Sequence, residues 1–195
     1  MKYKPTTLTQ PMQHSYEIGG IPIDTLVKEF GTPLYIIDLK TLKSNCSAYL
    51  NGLQKFYPNH RLLYAGKANL NLGLLNIIAK EGLGLDVVSG GELFTGLQSN
   101  IPNNLIYFHG NNKSLEELKL AIKNHIHIVV DNPQELQNIN TLNKTLNEPV
   151  KLLIRLNPNI ETETHQHIQT GQEDSKFGIH EEALMPLIKI ISEHP

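Results

Sequence analysis

From about residue 33 onward, short apolar runs alternate with longer amphipathic stretches at a spacing of roughly 20 residues, and that rhythm leaves few folds open. The runs lie at 34–37, 62–65, 85–88, 105–108, 126–130 and 150–156. Each has strand length, and each is followed by a stretch with apolar positions near helical spacing and charges between them. Helices are predicted over 39–53, 71–81, 91–98, 114–124 and 133–144. Strands that alternate with helices in this way build βα units around a parallel sheet. A closed barrel of such units needs about eight strands, and this chain supplies five or six, so the expected architecture is a partial (β/α)8 barrel.

Local signals support the helix boundaries. Asp38 closes the first run and can cap the helix after it. Ser114 stands three residues before Glu117, the pattern of a capping box, and Asn132 precedes Pro133 at a first helical position. The runs at 85–88 and 126–130 are mostly apolar, as strands covered on both faces should be, with Asp86 and His127 as exceptions. A carboxylate inside such a strand needs a cationic or hydrogen-bonding partner, which makes Asp86 a candidate site residue. Residues 157–180 form too long a connection to be a plain loop, and loops of that kind are commonly functional or disordered. A last helix is expected near 183–191, with Pro186 tolerated only in its first turn.

Composition narrows the function classes. A net charge of −2 gives no electrostatic reason to expect nucleic acid or an anionic membrane as partner. No apolar run approaches the roughly 20 residues that cross a bilayer. Residues 1–16 are polar and lack the apolar core of a secretory signal. Cys46 is the single cysteine, so an internal disulfide is excluded and a reducing, cytoplasmic setting is expected.

Chemistry-bearing residues gather where the strands end. Lys67 follows the run at 62–65; an amine at the end of an apolar strand risks desolvation, which lowers its pKa and makes it a nucleophile. Ser89 and Glu92 follow the run at 85–88, His109 and Lys113 that at 105–108 and Asp131 that at 126–130, and the run at 150–156 opens onto Arg155 and Asn157. In a βα barrel these positions share one rim, where active sites form. Other features read more plainly. His165 and His167 have no third ligand at useful spacing, so no metal is expected. The glycines at 82 and 84 precede a strand and have Val87 where a dinucleotide fingerprint needs its last glycine. Cys46 and His127 read as core residues, Gly90 and Gly91 as a tight turn, and Lys113 and Lys176 as charged loop residues, structural or otherwise.

The blocks Tyr64-Ala65-Gly66-Lys67-Ala68-Asn69 and Gly84-Leu85-Asp86-Val87-Val88-Ser89-Gly90-Gly91-Glu92-Leu93 resemble successive segments of the fold-type III pyridoxal phosphate-dependent decarboxylases. His109 to Ser114, Val130-Asp131, Arg155-Leu156-Asn157-Pro158, Thr170-Gly171 and Ser175-Lys176-Phe177-Gly178 continue the resemblance in order, and the pattern is closest to the diaminopimelate branch. The resemblance implies an alanine racemase-like barrel with pyridoxal 5'-phosphate held covalently on a catalytic Lys67. It places Asp86 and Arg155 near the cofactor, with a shared role in fixing the charge and orientation of Lys67, and offers Ser89, Glu92 and His109 as further contacts. It implies decarboxylation of meso-2,6-diaminopimelate to L-lysine and carbon dioxide, a small amino acid as ligand, and a homodimer. A related enzyme acting on carboxynorspermidine or a basic amino acid, and a non-catalytic partial chain, are the alternatives. By the same resemblance, residues 1–38 belong to a β-domain and 39–195 to an incomplete cofactor-binding barrel. Gly66 departs from the family's usual valine and is expected to loosen the strand end. The family's cofactor-stacking histidine, glycine-rich phosphate cradle, acidic partner of the pyridine nitrogen and late cysteine are not found within these residues, so the chain alone is expected to be inactive.

Overall fold

A computed structural model of the protein describes residues 7–10, 16–158 and 177–192. The chain forms two compact units, Met1–Leu62 and Leu63–Pro195.

In the first unit, β1 (Glu17–Ile18) and β2 (Ile21–Pro22) make a two-stranded antiparallel hairpin, with Thr9 bridged to Glu17 beside it. Helix α1 (Ile23–Phe30) follows, unanticipated from the run pattern although Ile23, Leu26, Val27 and Phe30 fall at i, i+3, i+4 and i+7. Helix α2 (Leu39–Phe56) begins where expected. The Asp38 carboxylate accepts the backbone N–H groups of Lys40 and Thr41 and the hydroxyl of Thr7 at 2.7 Å. Hydrogen bonds from the Thr41 and Thr7 hydroxyls hold the Asp38 carboxyl down at about 2. The run at 34–37 is not a strand: it pairs with no described residue, and Tyr35 is 98% exposed. A strand requires a neighbour, and the hairpin strands of this unit pair with each other.

In the second unit, the elements alternate as expected. β3 (Leu63–Ala65), α3 (Leu72–Lys80), β4 (Gly84–Val87), α4 (Gly90–Leu97), β5 (Ile106–Phe108), α5 (Leu115–Lys123), β6 (His127–Val130), α6 (Pro133–Leu146) and β7 (Lys151–Ile154) run in chain order. The five strands form one parallel sheet in the order β3-β4-β5-β6-β7. Each strand therefore pairs with the one made just before it, the order of a barrel; a doubly wound sheet reverses direction at a switch point.

One face of this sheet is sealed. Leu85, Val87, Ile106, Phe108 and Ile128 are fully buried, and α4 lies on Leu85 and Ile106, because a Cβ on Gly96 would sit 2.8 Å from Leu85 Cδ2. Each such side chain contributes about 1.5–3 kcal/mol by leaving water. The opposite face differs from the expectation of full cover. Asp86, Tyr107, His127 and Lys151 follow one another across it in register, and each retains exposure. Both polar exceptions in the apolar strands thus lie on the open face, which is why the strands tolerate them.

The run at 150–156 divides at Arg155. Its N–H bonds to Val130 O at 2.9 Å, extending β7, whereas its C=O accepts from Ile179 N at 2.8 Å. β8 (Leu156–Asn157) then pairs in parallel with β9 (Ile179–His180). Helix α7 (Glu181–Ser192) starts two residues before the predicted point, so Pro186 lies inside it rather than in its first turn. The proline has no N–H to offer the Glu182 carbonyl, and the helix continues without that bond.

Candidate active site

Lys67 sits in a 3₁₀ turn, Gly66–Ala68, between the end of β3 and Asn71, whose side chain accepts from Leu74 N at 2.9 Å and caps α3. Gly66 tightens this strand end rather than loosening it. It is buried, and a Cβ there would stand 2.8 Å from Leu70 Cδ1 and 3.0 Å from Asp86 O. Tyr64 straps the same turn by donating its hydroxyl to Asn69 O at 2.8 Å, and burial pushes its phenol up from the ordinary value. The Lys67 side chain is exposed, contrary to the expected desolvation, and makes no hydrogen bond or ion pair among the described residues.

The partner that Asp86 needs is His109. The His109 N–H bonds to Val87 O at 2.8 Å, continuing the β4–β5 ladder, and this brings its Nδ1 into short contact with the Asp86 carboxylate. Arg155 is engaged separately: its Nη1 donates to Asp131 Oδ1 at 2.8 Å, and its guanidinium lies 4.7 Å from the centre of the Phe177 ring. The Asp131 carboxylate is almost fully buried, whereas the arginine side chain remains about one-third exposed. Neither Asp86 nor Arg155 bonds to Lys67: the carboxylate engages His109 and the guanidinium Asp131.

Lys67, Asp86, His109 and Arg155 nevertheless line one cavity of about 480 Å³, together with Val88, Gly110, Asn111 and Phe177. It lies at the carboxyl ends of the parallel strands, where a barrel carries its chemistry. An exposed primary amine, an imidazole set by a carboxylate and a guanidinium with one anchored edge surround it. That set suits a carbonyl compound bearing anionic groups: the amine can add to the carbonyl, and the cation can meet the negative charge.

Residues 40–194 match the family described as pyridoxal-dependent decarboxylase, pyridoxal binding domain. The chain belongs to this family. It is 43% identical over 189 residues to diaminopimelate decarboxylase of Synechocystis sp., covering 92% of this chain and 40% of that protein. With the enzyme of Bacillus subtilis it shares 40% identity over 168 residues, covering 85% of this chain and 38% of the relative. A crystal structure of the M. jannaschii diaminopimelate decarboxylase in complex with L-lysine superposes with a TM-score of 0.85 at 34% identity, covering 97% of this chain and 45% of that one. The chain therefore spans about two-fifths of the length of the curated relatives it matches. Family membership makes pyridoxal phosphate the cofactor and makes the five parallel strands part of an alanine racemase-like barrel.

The remaining expected contacts in this decarboxylase domain do other work. Ser89 caps α4 by accepting Glu92 N at 3.3 Å, and the Glu92 carboxylate accepts Val88 N at 2.7 Å. Neither lines the cavity. Gly90 is more than a turn residue: Glu117 Oε1 accepts its N–H at 2.6 Å, and a Cβ there would meet that carboxylate. Lys113, expected in a charged loop, is buried and bonded to Glu135 at 2.7 Å. His127 stacks on Tyr107 with ring centres 4.4 Å apart. Among the described residues no group of three or more His, Cys, Asp or Glu is placed to hold a metal. His165, His167, Thr170, Gly171, Ser175 and Lys176 lie outside the described residues. Asn111 and Phe177 are cavity residues that strand-end reasoning did not single out, although both stand inside the quoted family blocks.

Proposed function

We propose that this chain forms the cofactor-lysine half of a diaminopimelate decarboxylase, which converts meso-2,6-diaminopimelate to L-lysine and carbon dioxide. The observation that carries this reading is the exposed Lys67 amine, without a bonding partner among the described residues, on the wall of a cavity shared with Asp86, His109 and Arg155. The first two relatives above are both named for this activity, and the solved neighbour holds L-lysine, its product. Residues 1–38 are proposed as part of a β-domain and 39–195 as the barrel portion, a division supported by a family match that begins at residue 40.

The residues fit the anchoring end of pyridoxal phosphate. Lys67 Nζ has no competing partner among the described residues and would supply the covalent attachment. When bound, the cofactor acts as the sink for the electron pair left as carbon dioxide departs. Lys67 would hold the cofactor at Nζ, and the same amine, when not so engaged, could carry a proton. Asp86 keeps the His109 imidazole at the cavity wall through Nδ1. Asp131 anchors one edge of Arg155, so the guanidinium is held ready for an anionic group. Ser89 and Glu92 serve the site at one remove, by shaping the turn that carries Val88. The five parallel strands among the described residues, against about eight in a closed barrel, do not enclose a barrel interior, so this chain alone is expected not to turn over substrate. A homodimer in the cytoplasm acting on a small amino acid, without nucleic acid or membrane partners, completes the reading. No helix among the described residues is long and apolar enough to cross a membrane.

The test is covalent capture. The intact protein is mixed with pyridoxal phosphate, reduced with borohydride and mapped by peptide mass. Label on Lys67, lost in Lys67→Ala together with turnover, is the expected result; label elsewhere, or substantial turnover in the variant, sinks the assignment. Substrate competition then separates diaminopimelate from carboxynorspermidine and the basic amino acids. Reading the source gene beyond the codon for Pro195 adds an independent check, since the decarboxylase reading requires a histidine-bearing strand, a glycine-rich cradle and a late cysteine there.

A further inference from the structure

Behind the cavity wall lies a charged pair that the chemistry above does not use. Lys113 Nζ donates to Gly110 O at 2.7 Å, to Val129 O at 2.8 Å and to Glu135 Oε1 at 2.7 Å. Its side chain is 1% exposed and that of Glu135 4%. A lysine ammonium has three protons, and all three are spoken for, so this amine is charged and has no lone pair for chemistry. Burial holds the lysine below its ordinary value and the glutamate above it, with their mutual bond and charge pulling the other way. The second oxygen of Glu135 accepts Asp131 N–H at 3.2 Å, and Asp131 in turn accepts from Arg155. A continuous set of bonds therefore runs from Gly110 through Lys113, Glu135 and Asp131 to Arg155, joining the loops after β5, β6 and β7.

Stability does not account for this choice of residues. An apolar pair of similar volume would often be as stable or more so. What an apolar pair lacks is direction: it cannot pin a particular carbonyl or a particular N–H. Gly110 is a place where direction matters, because its φ of +111° suits only glycine and a Cβ there would lie 2.8 Å from Val88 O. Gly110 and Arg155 are both walls of the cavity. We propose that Lys113 and Glu135 are positioning residues, setting the backbone of the loop after β5 and the aim of Arg155, a role that rests on this cavity being the cofactor site.

The test replaces both charges at once, Lys113→Met with Glu135→Leu, so that neither is left buried alone. Hydrogen exchange by mass spectrometry is read on the intact protein without cofactor, at peptides over 109–113 and over the core strand 126–130. The expected result is a melting temperature close to that of the unsubstituted protein, with exchange over 109–113 faster by about tenfold or more and the core unchanged. In the same variant, pyridoxal phosphate should bind the intact protein about tenfold more weakly. Unchanged exchange at 109–113, or equal acceleration everywhere, overturns the proposal and leaves the pair as a stability element only. Should the double variant fail to fold, Glu135→Gln decides: it keeps an acceptor for Lys113 but faces an amide NH₂ toward Asp131 N–H, with the same two readouts and the same overturning results. Failure of the cofactor reading has a different signature, the absence of label on Lys67 in the unsubstituted protein.

Discussion

The rim of the parallel sheet has two halves that treat a lysine in opposite ways. At the end of β3 the Lys67 amine is exposed and makes no bond among the described residues, while the backbone beneath it is packed tightly at Gly66. Past the end of β5 the Lys113 amine is buried and all three of its protons are committed. Under the proposed function, the difference teaches that reactivity and rigidity are supplied by separate residues. A nucleophile has to keep its lone pair available, so the structure holds the turn that carries it and leaves the side chain alone. A strut has the reverse requirement.

Substitution at the two lysines should separate the halves most sharply. Lys113→Met strands a buried carboxylate and is expected to cost about 3–5 kcal/mol in chemical denaturation. Lys67→Met at the exposed position should stay within about 0.5 kcal/mol of the parent protein. Comparable losses at both would break the contrast. A smaller difference is expected between two glycines. Gly110→Ala forces a side chain into a positive-φ position against Val88 O and should cost at least about 1–3 kcal/mol. Gly91→Ala, in the first turn of α4 with nothing within 4 Å of the new carbon, should be neutral or stabilise by up to about 1 kcal/mol.

The smallest effect concerns Glu117, which joins the turn after β4 to the start of α5. One of its oxygens accepts Gly90 N and the other Ser114 N. Burial pushes its carboxyl up, but the Ser114 and Gly90 bonds outweigh that and leave it below the ordinary value. Because the folded carboxyl titrates below the unfolded one, its contribution is complete above the ordinary carboxylate range and disappears as pH falls through the lowered value. Melting curves of the parent protein and Glu117→Gln should therefore differ near neutral pH and converge in acid. A gap that persists at low pH would show that the carboxylate's charge is not what links α4 to α5.

Much of this was legible in the residues. Helix caps at Asp38, Ser114 and Asn132 are local, and each is found where its sequence signal lies. The strand–helix alternation gave the sheet, and the convergence of Lys67, Asp86, His109 and Arg155 on one cavity follows from parallel strands ending on one edge. Helix α1 was readable too, since its four apolar positions have ideal spacing, but a search for strand-like runs passes over it. What could not be read is the strut. Residues 110, 113, 129, 131, 135 and 155 come from separate elements, and only the register of β5, β6 and β7 brings their polar atoms within bonding distance. The unpaired segment at 34–37 fails for a related reason: its apolar residues predict a strand, but pairing depends on a neighbour that its own sequence does not specify.

The sequential strand order also bears on how the sheet comes into being. Every new strand docks on the strand that the chain has just finished, so no pairing has to wait for a distant segment, and the loop closed at each step stays short. Assembly can then follow synthesis from its N-terminal side, one βα unit at a time. At each stage a single fresh edge is exposed, and the next strand to emerge is the one that covers it.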